Sequence, residues 1–463
     1  MTTERRPPSV TEAPELNQLR AIDVAHGIRE GVFSSEQLVQ SCLDHTQAVE
    51  EKVGAWAFLD PEHALQQARA ADEWRLEGRA LGALHGVPVG IKDIIDTHDM
   101  PTEDGTVLHA GRMPVRDATL VARLREAGAV IMGKTVTTEL ATYAPGKTRN
   151  PHDPDHTPGG SSSGSAAAVA ANMVPLAVGT QTNGSVIRPA SYCGVFGFKP
   201  TFGLISRHGV LKQSRWLDQA GVFARCVEDL ALIAESLIGF DENDPDTRPV
   251  ARPPLLATAM QDPPIRPWVM FIKTPVWDRA EVETQEAFAE LVENIGEPIM
   301  ACDLPAPFGQ ALDWHRTIME ADLAKNYDAE YERGADQLSA SLRGQIERGR
   351  RVLAVDYNRA LDKIPMLNGA LNELFEQRCD VILTPATTGT APHGLESTGD
   401  PMFCTLWTLC GMPTVTLPLM QGENGLPLGV QLVGRRGDDA RLLRTARWLV
   451  NHVQQSLEAS PEQ

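Results

Sequence analysis

The chain has 463 residues, of which 42% are hydrophobic and 5% aromatic, and its formal net charge is −19 at pH 7. The apolar fraction is typical of a large α/β core and excludes a disordered or fibrous chain. The acidic charge argues against nucleic acids and anionic membranes as main partners, and an anionic substrate would need a local cation in order to bind.

Cysteine usage and the lack of long apolar runs indicate the compartment. Seven cysteines follow no regular spacing, so we expect reduced thiols, with Cys193, Cys226, Cys404 and Cys410 in the core. The N-terminal sequence MTTERRPPSV lacks the apolar core of a signal peptide, and no apolar run of about 18 residues is present that would span a membrane. These features predict a cytoplasmic protein.

Helical and strand patterns alternate along the first part of the chain. Residues 1–14 are polar and rich in proline, and we expect them to be frayed. Ser34 and Gln37 have the spacing of a capping box at the start of a helix. Further predicted elements are a helix over 64–75, a strand over 87–91, a helix over 118–127 and a strand over 129–132. This alternation favours a sheet that is covered on both faces.

The second part of the chain is predicted to be mainly helical. Seven prolines between 245 and 267 indicate an extended connection. Apolar residues spaced over 282–292 predict an amphipathic helix. Residues 309–378 are expected to be mostly helical, and 381–383 to form a buried strand.

Two clusters of glycine and serine, 24 residues apart, stand out within the stretch 158–200. The serines of these clusters are Ser161, Ser162, Ser163 and Ser185. The run of small apolar residues between them is too apolar for a solvated linker, so we predict a buried helix over 165–171 and a buried strand over 176–178. Serine-bearing turns at the ends of buried elements are frequent places for catalysis.

Three separated groups of motifs carry a family resemblance. GGSSSGSAAAVA is followed by GTQTNGSVIRPASYCG, and GVPVGIKD occupies 86–93. Further matches are NPHDPDHTPGG at 150–160, TPA at 384–386, GMPTVTLP at 411–418 and LPLGVQLVG at 426–434. In this order the motifs resemble the amidase signature family of serine hydrolases, over nearly the whole chain.

The resemblance implies one α/β domain over 1–463, with a large central mixed sheet covered by helices on both faces. Length alone would suggest two or three domains. The expected parts are a catalytic core over about 75–230, the proline-rich connection 245–267, a variable helical region over about 280–378 that shapes the pocket, and a return to the core over 379–455.

The resemblance also implies a catalytic triad of Lys92, Ser161 and Ser185. In this family Ser185 is the nucleophile, and Ser161, which follows a cis peptide bond, passes its proton to Lys92. The residues fit this chemistry, because a serine hydroxyl needs a base and no histidine lies in or beside either cluster. Lys92 is a base only when neutral, which burial after the apolar run 87–91 favours, and Asp93 is expected on the opposite face of the strand.

The turn before the nucleophile is expected to bind the carbonyl oxygen of the substrate. By resemblance, the oxyanion hole consists of the backbone N–H groups of Thr182, Asn183 and Gly184 together with that of Ser185. The commonest family pattern is Gly-Gly-Ser, whereas this chain has Asn-Gly-Ser. A backbone donor survives this exchange, and the asparagine adds an amide to the pocket wall.

Arg188, Ser162 and Trp407 are the candidate substrate-binding residues. Arg188, three residues after Ser185, is placed as in malonamidase-type members, whose arginine binds a substrate carboxylate. The alternative is that Arg188 only braces its loop, and the sequence leaves both open. Ser162 is expected to hydrogen-bond within the site. Trp407 and Thr408, where much of the family has Trp-Asn, are expected to shape the pocket.

Two rival patterns are weaker. Residues 160–164 fit the nucleophile elbow G-x-S-x-G, which would make Ser162 the nucleophile. Its base would be His315 or His393, but no hydrophobic strand precedes the elbow. Two histidines and two aspartates within 152–156 suggest a metal site, but prolines prevent the helix that would align them. We expect no metal and no cofactor.

The sequence thus predicts a serine amidase that cleaves the C–N bond of a small amide, or a related carbamate or ester, through an acyl-enzyme. Its substrate either carries a carboxylate or is neutral. One alternative is the A subunit of a glutamyl-tRNA amidotransferase, which shares the triad and segments like SRHGV at 206–210. Another is an aryl-acylamidase or urethanase-type hydrolase of neutral substrates. The oligomeric state is open, with a homodimer as one alternative.

Overall fold

Eleven β-strands join into one mixed sheet in the part of the chain that the computed structural model describes, residues 15–296 and 299–459. The strands are β1 (Trp56–Leu59), β2 (Pro88–Lys92), β3 (Val130–Thr135), β4 (Leu176–Gln181), β5 (Phe196–Lys199), β6 (Gln219–Ala224), β7 (Val269–Lys273), β8 (Ile299–Asp303), β9 (Val381–Pro385), β10 (Thr414–Gln421) and β11 (Pro427–Val433). Their order across the sheet is β1-β3-β2-β4-β6-β5-β10-β11-β9-β7-β8. The predicted fraying of residues 1–14 lies outside the described residues.

Two groups of parallel strands flank an antiparallel centre. β2 pairs in parallel with β3 and β4, and β7 pairs in parallel with β8 and β9. The series β4, β6, β5, β10, β11 and β9 pairs antiparallel, as does β1 with β3. Because β2 and β4 run in the same direction, their carboxyl ends lie at one edge of the sheet. That edge carries Lys92 and the turn that leads to Ser185.

Fifteen α-helices accompany this sheet within the described residues. They are α1 (Ala21–Glu30), α2 (Ser35–Val53), α3 (Pro61–Leu76), α4 (Thr119–Glu126), α5 (Ser163–Ala170), α6 (Ile187–Tyr192), α7 (Val227–Leu237), α8 (Leu255–Ala259), α9 (Val282–Ile295), α10 (Ala311–Asn326), α11 (Asp328–Gly334), α12 (Ala340–Gly349), α13 (Ala354–Gln377), α14 (Met402–Leu409) and α15 (Asp439–Ala459). None of the helices in the described ranges has the length and apolar character that crossing a membrane requires.

The helices cover both faces of the sheet. Neighbouring side chains of β7 enter different hydrophobic clusters: Phe271 packs with residues of α7, α9 and α15, whereas Met270 packs with residues of α10, α12 and α13. Successive side chains of a strand point to opposite faces, so the two clusters lie on opposite sides of the sheet. The predicted fold, a large mixed sheet covered on both faces, is confirmed.

The predicted elements correspond to observed ones with small shifts at their ends. The capping box is present, since Ser34 Oγ accepts from the backbone N–H of Gln37 and Gln37 Oε1 accepts from the N–H of Ser34. The connection 245–267 differs from the prediction, because it contains the short helix α8. Leu255 and Ala259 of α8 are buried against the core, and a proline immediately before a helix is compatible with its first turn.

Candidate active site

Lys92 is the last residue of β2 and is completely buried. Its Nζ lies 2.6 Å from Ser161 Oγ and 2.8 Å from Thr180 Oγ1. Burial holds the pKa of the Lys92 ammonium well below its ordinary value of 10.5, and the negative charge of Asp218 opposes this shift only partly. Lys92 is therefore suited to exist as a neutral amine beside a serine hydroxyl.

Asp93 does not pair with Lys92. The Asp93 carboxylate lies 3.4 Å from the Nζ of Lys134 and accepts hydrogen bonds from the backbone N–H of Glu103. Burial raises the pKa of Asp93 to about 7, and Lys134 opposes this shift. Alternation along the chain thus keeps the neighbouring carboxylate away from Lys92, as expected from the sequence.

The first serine cluster forms the loop that leads into α5. The peptide bond between Gly160 and Ser161 is cis. Ser162 Oγ donates to the carbonyl of Thr180 at 3.1 Å and accepts from its N–H at 3.2 Å, so Ser162 ties this loop to β4. Ser163, the first residue of α5, donates from Oγ to a backbone carbonyl.

The second serine cluster forms the turn 182–185 between β4 and α6. Within the described residues, the four consecutive N–H groups of this turn donate to no acceptor of the protein. Gln181 Oε1 instead accepts the following N–H groups, from Val186 at 2.8 Å and from Ile187 at 3.0 Å. The turn therefore leaves a set of backbone donors available for a ligand oxygen.

Arg188 connects the two serine loops. It is 1% exposed, and its terminal nitrogens donate to the carbonyl of Gly160 at 2.7 Å, the carbonyl of Gly399 at 2.9 Å and Thr398 Oγ1 at 3.1 Å. Because Gly160 immediately precedes Ser161, these bonds hold the Ser161 loop next to the nucleophile turn. No hydrogen bond joins Ser161 to Ser185 among the described residues.

A narrow cavity of about 20 Å³ opens beside Ser185. Its lining consists of Ala141, Thr142, Tyr143, Thr182, Asn183, Ser185, Arg188, Gln213, Met319, Leu323 and Gln345. In the described part of the chain, this lining holds a single charged side chain, that of Arg188. Lys92, Ser161 and Ser162 are buried outside the lining. Trp407 is also absent from the lining and packs in a buried hydrophobic cluster, and its role in shaping the pocket stays a prediction.

Residues 37–443 match the family model named Amidase. The chain belongs to this amidase family. The resemblance to amidase signature enzymes is thereby confirmed, and the chain is an amidohydrolase by family.

Curated relatives of this amidase align along nearly their whole length. The A subunit of a glutamyl-tRNA(Gln) amidotransferase from Chloroflexus aurantiacus is 34% identical, with 93% of this chain and 96% of the relative covered. A protein of the same name from Anaeromyxobacter sp. (strain K) is 35% identical, with 98% of this chain and 99% of the relative covered.

Two solved structures, a peptide amidase and a hydrolase, have the same fold. Native peptide amidase from Stenotrophomonas maltophilia superposes with a TM-score of 0.80 at 29% identity, covering 94% of this chain and 97% of that one. A 6-aminohexanoate cyclic dimer hydrolase in complex with its substrate superposes with a TM-score of 0.85 at 25% identity, covering 95% and 98%.

Two side chains support the nucleophile turn of this amidase: Asp218, which the sequence did not indicate, and His315, which the sequence offered only as the base of the rival elbow. Asp218 accepts from Thr182 Oγ1 at 2.7 Å, and burial raises the pKa of Asp218 to about 6. His315 lies on α10, and its Nε2 is 2.8 Å from the carbonyl oxygen of Thr182. A carbonyl only accepts, so Nε2 carries the hydrogen, and burial lowers the pKa of His315 to about 4. His315 contacts this turn rather than Ser162.

Asn183 is held on three sides. Thr408 Oγ1 donates to its backbone carbonyl at 2.5 Å, and Thr405 Oγ1 donates to its Oδ1 at 2.7 Å. Its Nδ2 donates to the hydroxyl of Tyr143 at 3.2 Å. Thr405 and Thr408 are three residues apart and therefore share one face of α14. The sequence indicated this helix through the pair Trp407 and Thr408, and of the two it is Thr408 that contacts Asn183.

Proposed function

We propose that this chain hydrolyses small neutral amides through an acyl-enzyme formed on Ser185. The observation that carries this proposal is the buried Lys92, 2.6 Å from Ser161 Oγ and with no ion pair to Asp93. In its neutral form Lys92 accepts the proton of Ser161 as Ser161 takes that of Ser185, which attacks the amide carbon. Protonated Lys92 then returns this proton through Ser161 to the nitrogen of the leaving amine.

The free N–H groups of the turn 182–185 would bind the oxyanion that develops during this attack. The direction of these N–H groups is fixed by hydrogen bonds of Thr182 with Asp218 and His315, which are already formed in the free enzyme. Fixed donors stabilise the transition state without reorganising, and one such donor contributes about 10²–10³ in rate. Carbamates and esters present the same carbonyl group and are expected as further substrates.

The neutral substrate class is supported by the contacts of Arg188. Both of its terminal nitrogens are already bonded to oxygens of the protein. A carboxylate binds best to a guanidinium that offers two parallel N–H groups, whereas both terminal nitrogens of Arg188 brace neighbouring loops and its Nε is without a partner among the described residues. Of the two roles open from sequence, these bonds favour the brace.

Fluorophosphonate labelling tests the nucleophile. The adduct is expected on Ser185 and is located by peptide mass spectrometry. Ser185→Ala should abolish labelling and amide turnover while the protein stays folded. Ser163→Ala is the matched control, because Ser163 only bonds to a backbone carbonyl at the start of α5. An adduct on Ser162, with Ser185 unmodified, would contradict the proposal.

A second candidate function is that of the A subunit of a glutamyl-tRNA amidotransferase. It is favoured by the shared name of the curated relatives at 34–35% identity, which align over at least 93% of this chain. The purified chain alone distinguishes the two. Turnover of neutral amides by the isolated chain supports the amidase. Release of ammonia from glutamine that requires added partner proteins would support the amidotransferase.

A further inference from the structure

Gln345 of α12 is a buried polar side chain without a partner. It is 3% exposed and lines the cavity that also contains Ser185. Within the described residues, its buried Oε1 accepts no hydrogen bond. A buried amide that lacks partners costs free energy, and native proteins rarely keep one without a ligand or a functional reason.

Tyr143 lies in the same cavity with an unused hydrogen. Its hydroxyl accepts from Asn183 Nδ2 at 3.2 Å, and its own O–H donates to no acceptor among the described residues. Burial raises the pKa of this phenol, so it stays protonated. The loop before it is held with Leu140 and Ala141 at φ of 44° and 55°, in the left-handed region that few non-glycine residues adopt.

Together these two groups define the chemistry of the missing partner. Gln345 offers a donor and an acceptor, and Tyr143 offers a donor. A carboxylate can only accept hydrogen bonds, so it would leave the Gln345 carbonyl oxygen without a donor and would repel it. A carboxamide or ureido group carries both a carbonyl and N–H groups and satisfies all three sites. The remaining lining from α10, Met319 and Leu323, is apolar and suits a short methylene chain.

We infer that Gln345 and Tyr143 are specificity-determining residues that bind an uncharged carboxamide or ureido group at the far end of the substrate. The inference rests on the proposed function, because it places this group in the same cavity as the acylated Ser185. It narrows the substrates from neutral amides to bifunctional ones, such as linear diamides or ureido amides.

The test uses a homologous series of linear diamides, each paired with an amide in which an isopropyl group replaces the far carboxamide. Gln345→Leu should lower kcat/KM for the best diamide about tenfold or more, mainly through KM, because a buried hydrogen-bonding pair is lost. The isopropyl partner should change by less than about threefold. Tyr143→Phe should act in the same direction on the diamide.

If Gln345 had a structural role, Gln345→Leu would lower the Tm. A substrate-binding role predicts the opposite. Since its amide lacks partners in the free enzyme, Gln345→Leu should leave the Tm unchanged or raise it. Asn368→Leu is the control, because Asn368 is also buried with an unpartnered Oδ1 but lies on α13 outside the cavity lining. Asn368→Leu should not lower the Tm, and it should not change the preference between the paired substrates.

Labelling of Ser185 separates the two proposals. If fluorophosphonate labels Ser185 in the wild type and in Gln345→Leu, the proposed function stands, whatever the substrate preference. Equal losses on both members of each substrate pair, or no loss on either, would then overturn the role of Gln345 alone. Failure to label the wild-type Ser185 would instead remove the function on which this inference rests.

Discussion

At Lys92, burial and hydrogen bonding determine when the residue is a base. Its pKa is held below 10.5 by burial, and only the neutral amine accepts a proton from Ser161. As the pH falls through the lowered pKa, Lys92 gains its proton and activity is lost, so kcat/KM should rise with pH and level off below pH 10.5.

Lys92→Arg provides the matched variant for this pH profile, because arginine stays charged at any working pH. It should lose amide turnover by a factor of at least about 10². The pH profile of kcat/KM and the turnover of the variant together check the prediction. Substantial amide turnover by Lys92→Arg would show that the residue is structural.

Arg188 gives a prediction that separates binding of a charged substrate from bracing. Its bonds to Gly160 and Gly399 fix the Ser161 loop, so Arg188→Ala should reduce kcat on acidic and neutral amides alike, by about 10-fold to 100-fold. The Tm should fall as well, because buried carbonyls lose their donors. Kinetics on amides of matched length, with and without a carboxylate, check this. A rise in KM confined to acidic amides would instead assign Arg188 to carboxylate binding.

Individual site residues were predictable to different degrees. Lys92, Ser161 and Ser185 stand in contiguous motifs, and the structure places Lys92 against Ser161. Their catalytic roles remain predictions. Gln345 and His315 come from helices whose sequences carry no motif. The contact of His315 with the turn and the place of Gln345 in the cavity lining depend on how α10 and α12 pack, which no local pattern encodes.

At the scale of elements, α14 is a support for the nucleophile turn. Thr408 Oγ1 accepts from Gln181 Nε2 at 2.9 Å and donates to the carbonyl of Asn183, so one hydroxyl joins the end of β4 to the turn. Thr408→Val keeps the shape of the side chain and removes both bonds. We expect kcat to fall by about 10-fold to 100-fold with little change in KM, because the oxyanion donors lose their fixed direction.

A buried threonine outside the site is the control for Thr408. Thr384 of β9 is completely buried, and its Oγ1 has no hydrogen-bond partner in the described part of the chain. Thr384→Val should therefore keep full activity and lose no stability. If both variants lose kcat equally, packing rather than the position of the turn would explain the effect of Thr408→Val.

Most elements followed from local pattern, and the exceptions have physical causes. Val130–Thr135 and Leu176–Gln181 extend the predicted strands because their last residues, Thr135 and Gln181, still belong to the buried sheet. The helix α8 was missed because prolines on both sides suggested an extended chain. Burial of its apolar side against the core outweighed that local tendency.

At the scale of the whole molecule, the topology was beyond sequence patterning. Alternating helices and strands indicated a covered sheet, but its order depends on pairs such as β5 with β10, whose residues Lys199 and Thr414 are far apart in the chain. The same pairing of strands that are distant in the chain brings the 398–408 segment to the nucleophile turn. The family resemblance supplied the large mixed sheet and the expectation that Trp407 and Thr408 lie near the pocket, but neither it nor periodicity supplied the strand order.

His109 links the catalytic core to the helical region across this long separation. Its Nδ1 lies 2.7 Å from Asp104, and its Nε2 lies 3.1 Å from Glu330 on α11. Both ring nitrogens donate only in the charged imidazolium, and the hydrogen bond with Asp104 followed by that with Glu330 raises the pKa of His109 above its ordinary 6.5. Arg112, 3.7 Å from Asp104, and Arg333, 3.6 Å from Glu330, face the same carboxylates.

Because the pKa of His109 is raised on folding, its contribution to stability is complete below about pH 6.5 and is lost as the pH rises through the raised value. His109→Gln should therefore lower the Tm most at acidic pH, and the difference from the wild type should shrink at higher pH. Calorimetry over a pH series measures this, with His26→Gln as the control, since His26 is exposed and has no ion pair among the described residues. A difference in Tm that grows with pH would contradict a charged link between the core and α11.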